Sequence, residues 1–151
     1  MKKRILATTA IAVFTGGFAH AEDKKPDSAL TISGYAETYY SYDFNKPTNN
    51  TKPPFIYSYN KNNEVSVNLA FVKGSYNTER VRANLALAGG SYMNSNYASE
   101  PGVLNNIYEG NVGLKLSKND NLWLDAGVFS SHIGFESAVG KDCWNLTRSI
   151  S

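Results

Sequence analysis

Leu30–Tyr42 reads LTISGYAETYYSY, with Leu30, Ile32, Ala36, Tyr40 and Tyr42 on one parity and Thr31, Ser33, Glu37 and Ser41 on the other. Alternation of this kind sends apolar and polar side chains to opposite faces of an extended chain, so the stretch predicts a β-strand. The pattern returns four times. Val65, Val67, Leu69 and Phe71 alternate with Ser66, Asn68 and Ala70 within residues 64–76, and Val81, Ala83, Leu85 and Leu87 alternate with Arg80, Arg82, Asn84 and Ala86. Within residues 107–117, Tyr108, Val112, Leu114 and Leu116 stand opposite Glu109, Asn111 and Lys115; then Leu122, Leu124, Ala126 and Val128 alternate with Trp123, Asp125 and Gly127. Five strands are expected. Lys73 falls on the apolar parity of the second, near one end, where its stem can lie along apolar surface while the ammonium reaches water.

The connections run long, short, long, short. Residues 43–63 hold six Asn together with Pro47, Pro53 and Pro54, and residues 89–106 hold Asn94, Asn96, Asn105, Asn106 and Pro101. Such compositions interrupt a backbone ladder and predict loops. Residues 76–79 and 117–121 are short polar turns. Each predicted strand is about ten to thirteen residues, where a soluble strand averages about five or six and a tilted bilayer-crossing strand needs about nine to eleven. Aromatic residues gather at the strand ends: Tyr39, Tyr40, Tyr42, Tyr57, Tyr59, Tyr92, Tyr108 and Phe129 beside the long loops, Tyr76 and Trp123 beside the short turns. A soluble β-sandwich would also alternate. Strand length, loop asymmetry and the two aromatic girdles together favour an all-β, antiparallel transmembrane β-barrel.

The first 21 residues carry the compartment signal. Lys2, Lys3 and Arg4 form a basic start, residues 5–18 are apolar, and Ala19 and Ala21 supply the small residues of an A-x-A cleavage site, so residues 1–21 read as a signal peptide cut before Glu22. The chain has 15 Lys and Arg against 13 Asp and Glu; without the leader's three bases the balance is 12 against 13. A nucleic-acid partner is therefore not expected. Beyond the leader, apolar runs reach only about four residues, far short of the roughly 18 of a membrane helix, so any crossing is made by strands. The short turns then face the periplasm and the Asn-rich loops the cell exterior. Cys143 is the only cysteine, which excludes an intrachain disulfide.

Five strands do not close a barrel, since about eight is the smallest number that does and an open edge in lipid leaves backbone groups unpaired. The expectation is that residues 22–151 form the N-terminal part of a longer barrel. Strands contributed by several chains are the alternative.

SGYAETYYSYDFN (residues 33–45), LDAGVFSSHIGFES (residues 124–137) and NLTRSIS (residues 145–151) resemble the OmpL-like beta-barrel porin family of Gram-negative outer membranes. The resemblance runs over essentially the whole mature chain. It implies a water-filled barrel in the outer membrane, with the lipid bilayer and small hydrophilic solutes as partners, passive diffusion as activity and no cofactor; a homo-oligomer stays open. The polar parity supplies the expected lining: Ser33, Tyr35, Glu37, Ser66, Asn68, Arg80, Arg82, Asn84, Glu109, Asn111, Lys115 and Asp125. Its acids and bases are mixed, which assigns neither cation nor anion preference. The segment bearing Glu136, Lys141, Asp142 and Arg148 is either a solvated external loop or a constriction folded into the lumen.

Catalysis is not expected. His132 has Ser130, Ser131, Asp125 and Glu136 nearby in sequence, but strand neighbours point to opposite faces and no G-x-S-x-G motif is present. His132 and Cys143 lack ligand-spaced partners, so no metal site is expected. Two other functions compete with the porin reading: a surface adhesin or structural protein using the Asn-rich loops, and a soluble exported β-sandwich binding protein.

Overall fold

The computed structural model of the chain describes residues 10–14, 29–130 and 136–144. Six strands run antiparallel in chain order, each paired with its neighbours in sequence: β1 (Ala10–Phe14), β2 (Leu30–Tyr42), β3 (Val65–Asn77), β4 (Val81–Gly89), β5 (Ile107–Lys115) and β6 (Trp123–Val128). The five strands predicted beyond the leader are β2 to β6. β1 lies within the residues expected to form a leader and pairs with the outer edge of β2, Ala10 opposite Tyr42 through Phe14 opposite Thr38. Among the described residues β6 does not pair back to β1 or β2, so the sheet is not closed.

Strand lengths differ from the sequence expectation. β2 and β3 have 13 residues each, β4 and β5 have 9, and β6 has 6. Glycines of positive φ stand at the ends of two of them. Gly90 takes φ 125 after β4, and a side chain there would press on the Asn68 backbone carbonyl; Gly127 takes φ 133 near the end of β6, against the Gly110 carbonyl. Only glycine adopts such angles without strain.

The short turns close by local bonds. Thr78 seals the β3–β4 hairpin, its N–H donating to the Val81 carbonyl at 2.8 Å and its hydroxyl accepting the Val81 N–H at 3.0 Å. Ser117 Oγ accepts the N–H groups of Asn119 and Asp120 in the β5–β6 turn. The first long loop is itself a small hairpin, with Thr51 bridged to Lys61. Asn50 and Asn63 sit at φ 49 and 57 there, a left-handed conformation that asparagine tolerates better than most residues, which accounts for part of the asparagine excess. The second long loop carries the helix α1 (Ser91–Asn96) and a 3-10 turn (Gly102–Asn106).

Two β-bulges set which side chains share a face. On β3, Glu37 pairs with Leu69 but Thr38 pairs with Val67, which leaves Asn68 as an extra residue. Val65 and Val67 therefore share a face with Thr38 and Tyr40, whereas Leu69, Phe71 and Lys73 join Glu37, Tyr35 and Ser33 on the other. On β5, Ala86 pairs with Glu109 and Leu87 with Ile107, leaving Tyr108 as the extra residue. Strict alternation had put Leu69, Phe71, Lys73 and Tyr108 on the apolar outer face. The bulges move all four to the opposite one.

The sheet thus has one bare face and one covered face. Ile32, Val72, Leu85, Leu114 and Leu124 are 53–72% exposed on the bare face. The covered face carries the core of Leu69, Ala86, Ala88, Met93 and Tyr108, against which Tyr35, Phe71, Tyr92, Tyr97, Ala138 and Val139 pack.

Candidate functional site: the covered face of the sheet

Near the short turns, the covered face is a polar net running from β3 to β6. Ser75 donates to Asn84 Oδ1 at 2.8 Å, Asn84 Nδ2 to Asn111 Oδ1 at 3.0 Å, and Asn111 Nδ2 to Glu109 Oε1 at 3.1 Å. Lys73 Nζ lies 2.5 Å from Glu109 Oε2, reaching over the intervening β4 at Ala86, which is opposite both residues in the ladder. Arg82 makes a two-pronged contact with Asp125, one prong Nε to Oδ1 at 2.7 Å, over Gly113 of the intervening β5. The guanidinium of Arg82 also stands 4.5 Å from the Trp123 ring centroid. In both ion pairs the crossed strand offers a residue with little or no side chain, and that is what lets partners two strands apart meet. Planar bidentate geometry and the cation–π contact fix the Arg82 side chain.

Toward the long loops, the same face becomes aromatic and filled. Tyr35 and Phe71 pack with ring centroids 5.5 Å apart, and Phe71 stacks on Tyr108 at 5.6 Å. Glu37 is buried here. Its Oε2 accepts the Tyr35 hydroxyl at 3.1 Å and its Oε1 accepts the Tyr59 hydroxyl, so the carboxylate is held by two phenols. Tyr59 comes from the first long loop, meets Tyr39 edge to face at 5.2 Å, and takes φ 52, an uncommon angle for a bulky side chain. Its N–H donates to Asn68 Oδ1 at 2.9 Å. From the second loop, Met93 is wholly buried in the core.

The segment following β6 completes the cover. Ala138 and Val139 pack on the core, and the 3-10 turn Gly140–Asp142 presents the backbone amides of Gly140 and Lys141 to the Tyr35 hydroxyl. Gly140 is placed where a Cβ would lie 2.7 Å from both Glu37 Oε1 and the Tyr59 hydroxyl. Any side chain there displaces one of the three.

The residues expected to line a lumen are therefore not equivalent. Tyr35, Glu37, Arg82, Asn84, Glu109, Asn111 and Asp125 share the covered face in three bonded groups, Tyr35 with Glu37, Asn84 with Asn111 and Glu109, and Arg82 with Asp125, and Ser66, opposite Tyr39, stands on it too. Ser33 lies on the same parity and is exposed, as is Arg80; Lys115 is half-buried. Asn68 is fully buried in the bulge beneath Tyr59 and Ser91, so it lines no open water. Nor is the face uniformly polar, because the bulges add Leu69, Phe71 and Tyr108 to it. Glu136 is half-buried and Lys141 and Asp142 exposed in the segment packed on this face. Arg148, His132, Ala19 and Ala21 lie outside the described residues. Sequence reasoning missed Tyr59, Met93 and Gly140, which sit in loops with no periodic signal. Gly113 and Ala86 did carry one, since a small residue inside a strand marks a close approach.

Among ionisable groups outside the strands, burial holds the Lys52 ammonium below the usual lysine range, with Asp43 partly offsetting it. Burial likewise raises Tyr97, helped by Tyr92.

The family model described as "Putative beta-barrel porin-2, OmpL-like" matches residues 29–151. Neither a curated protein nor a solved structure matches the chain. The match starts at the residue before β2 and takes in every strand that carries the two-faced pattern; the chain belongs to this family of OmpL-like beta-barrel porins.

Proposed function

We propose that β2 to β6 form part of the wall of an outer-membrane barrel through which small hydrophilic solutes diffuse passively. One observation carries this reading: the sheet's bare face is apolar along its length while its opposite face holds two ion pairs and an asparagine ladder. Water around the bare face would leave a large apolar surface unburied, whereas lipid accommodates it. The polar half of the covered face offers solutes hydrogen-bonding groups along a wetted wall. Size selection falls to the inward-packed segment 136–144, with Lys141 and Asp142 as its exposed charges. In this reading the leader directs export and is removed before Glu22, which frees the β2 edge that β1 occupies. Closure then pairs that edge with further strands, because unpaired backbone groups are not tolerated in lipid.

The experiment is single-channel recording of the purified outer-membrane protein in planar bilayers. Discrete steps of one unit conductance are expected. Binding to surfaces or partners without any conductance would favour the adhesin reading, and failure to insert would favour a soluble one.

A further inference from the structure

Arg80 and Lys115 stand directly opposite each other where the β4–β5 seam meets the short turns. The Lys115 N–H donates to the Arg80 carbonyl at 2.9 Å, one step beyond the last ladder pair, Val81 with Leu114. Lys115 ends β5 on the parity of Gly113, which is on the covered face, and its bond to Arg80 carries the β4 register one residue into the preceding bend, on the parity of Arg82. Among the described residues neither has an ion-pair partner, whereas Lys73 and Arg82 on the same face are both paired. The acids around them form no ion pair with either base. Asp125 is held by Arg82, Asp120 accepts the Ser117 hydroxyl at 3.2 Å within its own turn, and Glu79, in the bend beside Arg80, pairs with neither base. Two like charges directly opposite on adjacent strands repel and weaken the pair they sit on. An anion between them removes that repulsion.

Resting on the diffusion reading above, we propose that Arg80 and Lys115 form an anion-recognition site at the short-turn mouth, taking small oxyanions such as phosphate or a carboxylate and biasing passage toward anions. The paired cations deeper on the face do not contribute, since each is neutralised by a fixed carboxylate. A mouth with unpaired cations raises the local anion concentration, an effect that weakens with ionic strength.

Reversal potentials across a potassium chloride gradient test this, with inorganic phosphate added as the probe anion. Wild-type channels should prefer chloride, and phosphate should reduce their current. Arg80→Gln/Lys115→Gln should lower the chloride-to-potassium permeability ratio by about threefold and abolish the phosphate effect, while Lys46→Gln, in the opposite loop, should change neither. Lys115→Gln alone gives a smaller change of the same sign and serves if the double variant does not assemble. Channels whose selectivity and phosphate response are unchanged in these variants would overturn the site and leave the diffusion reading standing. An absence of wild-type channels would instead overturn the diffusion reading itself.

Discussion

Arg82 on β4 grips Asp125 on β6 across the full width of β5, and the residue beneath the crossing is Gly113. A Cβ at that position would lie 2.8 Å from Arg82 Cγ and closer still to Asp125 Oδ1. The glycine is thus a condition of the ion pair. Lys73 and Glu109 repeat the arrangement over Ala86.

Gly113→Val should separate Arg82 from Asp125 and lower the urea midpoint of the folded protein, read by its heat-modifiable migration in detergent gels. Gly113→Ala should do the same to a smaller extent. Replacing Arg82 and Asp125 together by Ala should make the Gly113→Val substitution nearly harmless, because no side chain then crosses that position.

Alternation alone puts Leu69 on the outer parity of β3 and Val72 on the inner one, and the bulge reverses both. Val72→Arg and Leu85→Arg should each impair assembly, a charge at mid-bilayer costing about 2–4 kcal/mol, whereas Asn84→Arg should be tolerated. Leu69→Ala, on the covered face, should instead lose about 2–5 kcal/mol through a cavity, visible as a lower unfolding midpoint without an insertion defect. If Leu69→Ala left the unfolding midpoint unchanged while Leu69→Arg blocked insertion as Leu85→Arg does, the face assigned to this residue would be wrong.

These residues show how far the sequence can be read. Period-two patterning located all five strands from β2 to β6 and the faces of β4 and β6, because an uninterrupted antiparallel ladder keeps strict alternation. It failed at Asn68 and Tyr108, where one extra residue each reverses the phase and neither extra residue is Gly or Pro. Lys73 was the visible symptom: a charge on an apolar parity is better explained by a shifted register and a Glu109 partner than by a reaching side chain. The inward packing of Tyr59, Met93 and Gly140 was not legible, since it depends on loop contacts between residues far apart in the chain.

Gly140→Val should unseat the 136–144 segment by driving its backbone away from Glu37 and Tyr59. Single-channel conductance should rise, and limited proteolysis should begin to cut within residues 136–144. Tyr59→Phe, which removes one of the two phenol donors to Glu37, should produce a weaker change in the same direction.

Lys52 gives a pH dependence of defined sign. Burial depresses its affinity for a proton in the folded state, so as pH rises toward the ordinary lysine value of about 10.4 the unfolded chain retains a proton that the folded one has released, and stability rises through that window. Lys52→Met should remove the rise, measured as urea midpoints in mildly alkaline buffers. A midpoint that falls equally with pH in both proteins would contradict the assignment.

The most direct test of the two-faced wall is spin-label accessibility along β4 and β5 in outer-membrane vesicles. Labels at Ala83, Leu85, Leu87, Val112 and Leu114 should be reached by oxygen dissolved in lipid and shielded from a water-soluble nickel chelate, and labels at Arg82, Asn84 and Asn111 should show the reverse, giving a period of two. Equal exposure of both sets to the aqueous chelate would contradict a membrane-embedded sheet.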